Sequence, residues 1–186
     1  MFTETGLSFL RGKSMIIGTY TETRWQMSNN YQTEVYDKRL EEGQQFQDFA
    51  VDALYKEGIP VVGYSSKKYQ CKIGENKTGI EIKHDHNFRK TGNLYIETEE
   101  KSNPDNPFYV KSGIYRVDNT WLYLIGDYKT FYLFPKKYLQ IIHKEVIEGK
   151  RKYRIVENNT KTSRGMLLPV KAAEKYYSVK IIEIKD

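Results

Sequence analysis

The sequence predicts an α/β fold in which a mixed central sheet is flanked by helices. Three observations carry this. Apolar residues recur at mostly three- and four-residue spacing over Glu34–Glu57, the mark of an amphipathic helix. A succession of short strand-like runs follows it. Two apolar runs, Thr120–Ile125 and Thr130–Phe134, are then joined by Gly126-Asp127 and followed by Pro135 at the head of another helical pattern. With 186 residues the chain is long enough for one sizeable core and short of two full domains. Apolar residues make up only 39%, but 16 Tyr and 8 Phe supply large side chains with which to build that core.

Residues 1–33 carry no helical period and read as an N-terminal extension of short strands. A core is expected over 34–145, and a basic C-terminal extension over 146–186. In the first helix Val35, Leu40, Phe46, Phe49, Ala50, Ala53 and Leu54 form the apolar stripe, and Gly58 is placed to cap its end. Ile59–Tyr64, Lys68–Gly74 and Gly79–Asp85 read as three strands of a meander, with Glu-Asn-Lys-Thr at 75–78 turning between the last two. Asn93–Glu99 alternates apolar and polar residues and extends the sheet. After the loop 102–107, Pro107 suits the first turn of a second helix through Val117, and Pro135 opens a third. Tyr153–Val156 and Val179–Ile184 read as strands on either side of a Gly-Met-Leu-Leu-Pro segment and a short helix at 171–177.

No run approaches the roughly 20 apolar residues of a membrane span, and the N-terminus lacks a basic-then-apolar secretory pattern. A single cysteine, Cys71, excludes an internal disulfide and a cysteine zinc site. This fits a reducing compartment, the cytoplasm of a bacterial cell or a phage-infected host. The net charge of +6 is unevenly distributed: residues 129–186 hold 14 Lys/Arg against 6 Asp/Glu, and the remainder 16 against 18. A basic third beside an acid-balanced remainder suits a polyanion-binding protein with a carboxylate site, and equally a well-solvated lysine-rich surface.

The residues that stand out lie in Cys71–Asp85. Side chains two apart on a strand share a face, so Glu81, Lys83 and Asp85 project together while Ile80 and Ile82 point to the core. Glu75, across the turn, can approach Glu81, and two converging carboxylates suit Mg²⁺, a hard cation that keeps several waters. The tripeptide acid-x-Lys occurs six times in the chain and by itself signifies nothing; the Glu81 copy is set apart by its apolar strand and the acid before it. His84 and His86 flank Asp85 without the spacing of a zinc site, and Ser112 has no evident His and Asp partners for a triad.

Over residues 34–140 the order helix, meander carrying an acid and then Glu-x-Lys, helix and strand resembles the PD-(D/E)XK, or restriction-endonuclease-like, nuclease superfamily, whose core runs α-β-β-β-α-β. The resemblance implies Glu81 as metal ligand, the Ile82 carbonyl as a further contact, Lys83 as the water-positioning base and Glu75 as the second acid, with Mg²⁺ as cofactor and Mn²⁺ able to substitute. The first helix is similar to that family's opening pattern at Gly43, Phe46, Leu54 and Gly58, with Gln47 where Glu is usual, so Glu42 or Asp48 would have to supply that acid. The implied activity is a DNA endonuclease. A junction resolvase of the same fold, a weakened nucleic-acid-binding module, and an unrelated α/β structural protein stay open as alternatives. Phosphate contacts are expected from Arg89 and Lys90, from the Lys150-Arg151-Lys152 cluster and from Arg164, and double-strand cutting would call for two sites, hence a homodimer.

Overall fold

The computed structural model describes residues 38, 40–177 and 180–184; the expected 1–33 extension and the expected helix start at Glu34 lie outside them. Residues 43–186 form one compact unit. Its first element is α1, helical over 43–56. Phe46, Ala50, Ala53 and Leu54 form its buried stripe, and Gly58 follows at φ +77°, the left-handed end that glycine adopts without strain.

Two four-stranded sheets carry the rest. The first is mixed, in the order β1 (Ile80–His84), β4 (Leu122–Gly126), β5 (Thr130–Pro135), β8 (Lys180–Glu183), with β1 parallel to β4 and the other pairs antiparallel. The second is antiparallel throughout, in the order β3 (Val110–Lys111), β2 (Asn93–Glu100), β7 (Ser163–Pro169), β6 (Arg154–Glu157). Alternation along the first sheet divides its side chains between two cores. Ile80, Ile82, Leu122, Leu124, Phe131 and Leu133 pack under α1. Tyr123, Ile125, Tyr132 and Phe134 face the other way, toward Leu94, Ile96, Met166 and Leu168 of the second sheet and Leu139 and Ile142 of α4 (Lys136–Ile147). Pro135 precedes α4 as the sequence predicts.

The expected mixed sheet with flanking helices is therefore present, but the meander is not. Residues Lys67–Ile73 form a short helix, α2, in place of the second strand. Residues 59–64 contribute a single bridge, Gly63 to Asn76. The cause is local: the side chains of Glu75 and Asn76 occupy the free edge of β1, where a neighbouring strand would have paired. The second predicted helix is also absent. Gly113 sits at φ +51°, with Glu97 O 2.3 Å from where a Cβ would stand, so the chain turns there in a short 3-10 segment, Gly113–Tyr115, preceded by β3. A four-residue helix, α3 (Phe88–Thr91), lies between β1 and β2.

The described residues of the expected 146–186 extension are no appendage. β7 lies between β2 and β6, β8 closes the first sheet on β5, and Met166 and Leu168 are fully buried. The Gly-Met-Leu-Leu-Pro segment thus belongs to a strand; Gly165 within it leaves room for the Tyr95 ring, 2.7 Å from where a Cβ would be. The short helix after Pro169 is present as α5 (Val170–Ala172), widening to a π turn over Ala173–Tyr177.

Candidate functional site

The site forms on the exposed edge of β1. Ile80 and Ile82 turn to the α1 core, so Glu81 and Lys83 emerge on the opposite face, beside Tyr123 and Ile125 of β4. Lys83 Nζ lies 3.0 Å from Glu81 Oε1. Glu81 is only 3% exposed, whereas the lysine side chain is 38% exposed at the mouth of the cluster. The other carboxylate oxygen, Glu81 Oε2, is buried and has no hydrogen-bond partner among the described residues. A buried, unsatisfied carboxylate oxygen is costly, and it marks the point where a cation would be most strongly held.

Glu75 reaches the same place from the preceding loop. The Ile82 amide donates to Glu75 Oε2 at 3.2 Å, away from β4. Because N–H and C=O of one strand residue point to the same side, the Ile82 carbonyl faces that free edge as well. Ile80 shows the same geometry: its N–H donates to Asn76 Oδ1 at 3.1 Å, while its carbonyl accepts from Asn76 Nδ2 at 2.6 Å. The loop is held in turn by residues 119–121. Asn119 Nδ2 donates to Asn76 O and the Trp121 indole N–H to Thr78 O, each at 2.8 Å. Gly74 and Gly79 permit this strapping, since a Cβ at either would run into Asn119 or Trp121.

A third carboxylate approaches from the second sheet. Ser112 Oγ donates to Glu97 Oε1 at 2.8 Å, and the close approach at Gly113 sets that contact. Burial raises the carboxyls of both Glu75 and Glu97 above their ordinary range, with Lys83 pulling in the opposite direction. Burial alone would lower the Lys83 amine, but the charges of Glu81, Glu75 and Glu97 win and raise it above its usual value. The amine is thus an ammonium at neutral pH. Burial drives the Tyr123 phenol well upward too, with Glu81, Glu97 and Glu75 adding to the effect, so it stays a neutral hydroxyl beneath the cluster. The charge of Arg116 acts on Glu75 in the opposite sense, and Asp118, 3.5 Å from Arg116 Nε, anchors that guanidinium while sharing the buried Lys136 ammonium.

Of the sequence-predicted residues, Glu75, Glu81, Lys83 and the Ile82 carbonyl are brought together. The first-helix candidates Gln47 and Asp48 are not. α1 packs on the Ile80 and Ile82 face, and no hydrogen bond or ion pair among the described residues joins either of them to the cluster; Glu42 belongs to the other of the chain's two units. Asp85 is structural: it accepts from the Asn87, Phe88 and Tyr95 amides and ties β1 to α3 and β2. His84 stacks on Phe46 at 4.1 Å, on the α1 side of the sheet. Glu97 and Ser112 escape sequence reasoning as site residues because their approach depends on the second sheet folding over the first, Tyr123 because it depends on β4 pairing with β1, and Arg116 because it reaches Glu75 only through the folded chain.

Among the described residues no group of three or more His, Cys, Asp or Glu is gathered so as to hold a metal by itself. A divalent ion here would rest on two carboxylates, a backbone carbonyl and water, a set that Mg²⁺ accepts.

The expected phosphate contacts are mostly engaged with acids. Arg89 pairs with Asp127 at the β4–β5 turn, Lys150 with Glu148 at 2.7 Å, and Arg151 with Glu145. Arg164 pairs with Glu157 at 3.2 Å and stacks on Tyr109, its guanidinium carbon 3.9 Å from the ring centre. Lys90 and Lys152 are exposed. The 150–152 cluster thus sits just past α4 with two of its three cations on the acids of that helix end. No helix among the described residues is long and apolar enough to cross a membrane. Comparison with protein-family models, curated proteins and solved structures gives no match to this chain.

Proposed function

We propose that the protein is a divalent-metal-dependent phosphodiesterase acting on DNA, of the PD-(D/E)XK type, with its centre on β1. The observation that carries this reading is the buried Glu81 Oε2, without a hydrogen-bond partner among the described residues, set beside Glu75 and the outward-facing Ile82 carbonyl on the strand that also presents Lys83. Glu75, Glu81 and the Ile82 carbonyl would hold Mg²⁺ or Mn²⁺, which supplies a Lewis acid and an acidified water. Lys83, held as an ammonium, donates to the attacking water or to a phosphate oxygen and offsets charge that develops in the transition state. Glu97, kept close by Ser112, accepts a proton more readily than an exposed carboxylate. Tyr123 and the packed β4 floor keep water from the inner side. A junction resolvase differs only in substrate, and two copies of this site would be needed to cut both strands.

A second reading, a nucleic-acid-binding module without turnover, is favoured by one observation: α1 delivers no acid to the cluster. Incubation of linear, supercoiled and branched DNA with and without Mg²⁺ or Mn²⁺ separates the two. Metal-dependent cleavage that falls at least about 100-fold in Lys83→Ala and Glu81→Ala, with DNA binding in EDTA retained, is the expected result. Absence of cleavage on every substrate, with no metal binding by calorimetry, would leave the binding module.

A further inference from the structure

Turnover at β1 says nothing about how a strand is presented to it, and the surface next to Glu75 bears on that. The loop holding Glu75 runs on through Asn76 to Lys77, whose Cα lies at most about 7 Å farther along the chain. Lys77 Nζ stands 6.0 Å from the centre of the Tyr64 ring, and that ring stacks on Tyr69 at 6.3 Å and 24°. Tyr69 is 53% exposed. Lys72 follows it by one helical turn on the same face of α2. On the other flank of the turn the Trp121 indole is pinned through its N–H to Thr78 O yet remains 59% exposed, so its ring is oriented and open. Lys72 and Lys77 have no carboxylate within ion-pair distance among the described residues, whereas Lys150, Arg151, Arg89 and Arg164 do.

From this geometry we infer that Tyr64, Tyr69 and Trp121, with Lys72 and Lys77, form a stacking platform for unpaired nucleotides, which feeds a single-stranded or frayed DNA segment to the Glu75–Glu81–Lys83 cluster. The inference rests on the nuclease reading for the destination of the strand, but the binding itself does not need it. Aromatic rings stack on any base and lysines meet the backbone between them, which is how unpaired nucleic acid is held without sequence preference. A duplex buries its base faces and has nothing to offer these rings. The same exposed rings could not be covered by an acidic peptide with comparable gain, because a peptide supplies few planar faces.

The test uses the full chain in EDTA, with Trp25→Phe leaving Trp121 as the only tryptophan. A 15-nucleotide oligothymidylate should quench its fluorescence and bind more tightly than a hairpin duplex of matched charge. Tyr69→Ala should weaken oligothymidylate binding about tenfold and leave duplex binding unchanged, while Tyr69→Phe restores it. Lys72→Gln with Lys77→Gln should flatten the log–log salt slope by about 1.4, at about 0.7 per single-strand phosphate. Unquenched fluorescence, or Tyr69→Ala binding as the parent does with an unchanged circular dichroism spectrum, overturns the platform. Magnesium-dependent cleavage together with either of those results leaves the nuclease standing without it. Tyr69-dependent binding in a chain that never cleaves sinks the nuclease and keeps the platform.

Discussion

Lys83 and the three carboxylates around it are best understood as one set of coupled charges. The ammonium is the cation that the acids hold in place, and a divalent ion entering beside Glu81 Oε2 would take over part of that role. Glu75 and Glu97 titrate above the ordinary carboxylate range because they are buried, so the folded chain binds their protons more tightly than the unfolded chain. Their contribution to stability is therefore present below the ordinary carboxylate range and is lost as pH rises through the raised values. Glu75→Gln should remove part of that loss and raise the thermal midpoint at pH 7 by roughly 2–4 °C, as scanning calorimetry would show. Metal competes with the same protons, so Mg²⁺ affinity should increase as pH rises from the ordinary carboxylate range through the raised Glu75 and Glu97 values, with proton release on binding. Affinity that is flat across this range would remove Glu75 and Glu97 from the ion's surroundings.

At the scale of elements, the edge of β1 governs the site. An open strand edge is a template for pairing with another chain, and here two side chains close it. Asn76 mimics a neighbouring strand by bonding both main-chain groups of Ile80, and Glu75 takes the Ile82 amide. Asn76 is 2% exposed, so Asn76→Ala leaves buried partners unsatisfied. The expected loss is about 2–3 kcal/mol in urea denaturation. Cleavage should fall further than that loss of folded protein accounts for, because Glu75 is the next residue and its register depends on the clamp. Equal losses in stability and activity would mean that Asn76 matters to the fold alone.

The described residues from 43 onward are held by two sheets that share one core, and residues from the last quarter of the chain lie at the middle of one sheet and the edge of the other. Cutting the chain after Glu145 removes β6, β7 and β8 and exposes Leu94 and Ile96 of β2 together with Phe131 of β5. The shortened chain should lack the dispersed amide spectrum of a packed protein in nuclear magnetic resonance. A folded 1–145 fragment that still binds metal would show that α1 and β1–β5 are sufficient without β6, β7 and β8.

The elements that sequence alone determines here are those whose pattern agrees with their surroundings. The α1 stripe, β2, β4, β5 and α4 carry a clear 3.6- or 2-residue period with fitting glycines and prolines at their ends, so local preference and burial point the same way. The Glu81 and Lys83 pair is legible for the same reason, since strand alternation alone puts the two on one face. The segment 68–74 reads as a strand, yet Lys67–Ile73 folds as a helix because β1 has its edge filled by Glu75 and Asn76 side chains, a fact settled only when the loop folds back. The 107–117 helix fails because Gly113 must pass against the Glu97 backbone. Glu97 itself looks like any acid on an alternating strand. It becomes part of the candidate site only because β7, far along the chain, positions β2 over the first sheet, and no local window of sequence contains that long-range packing.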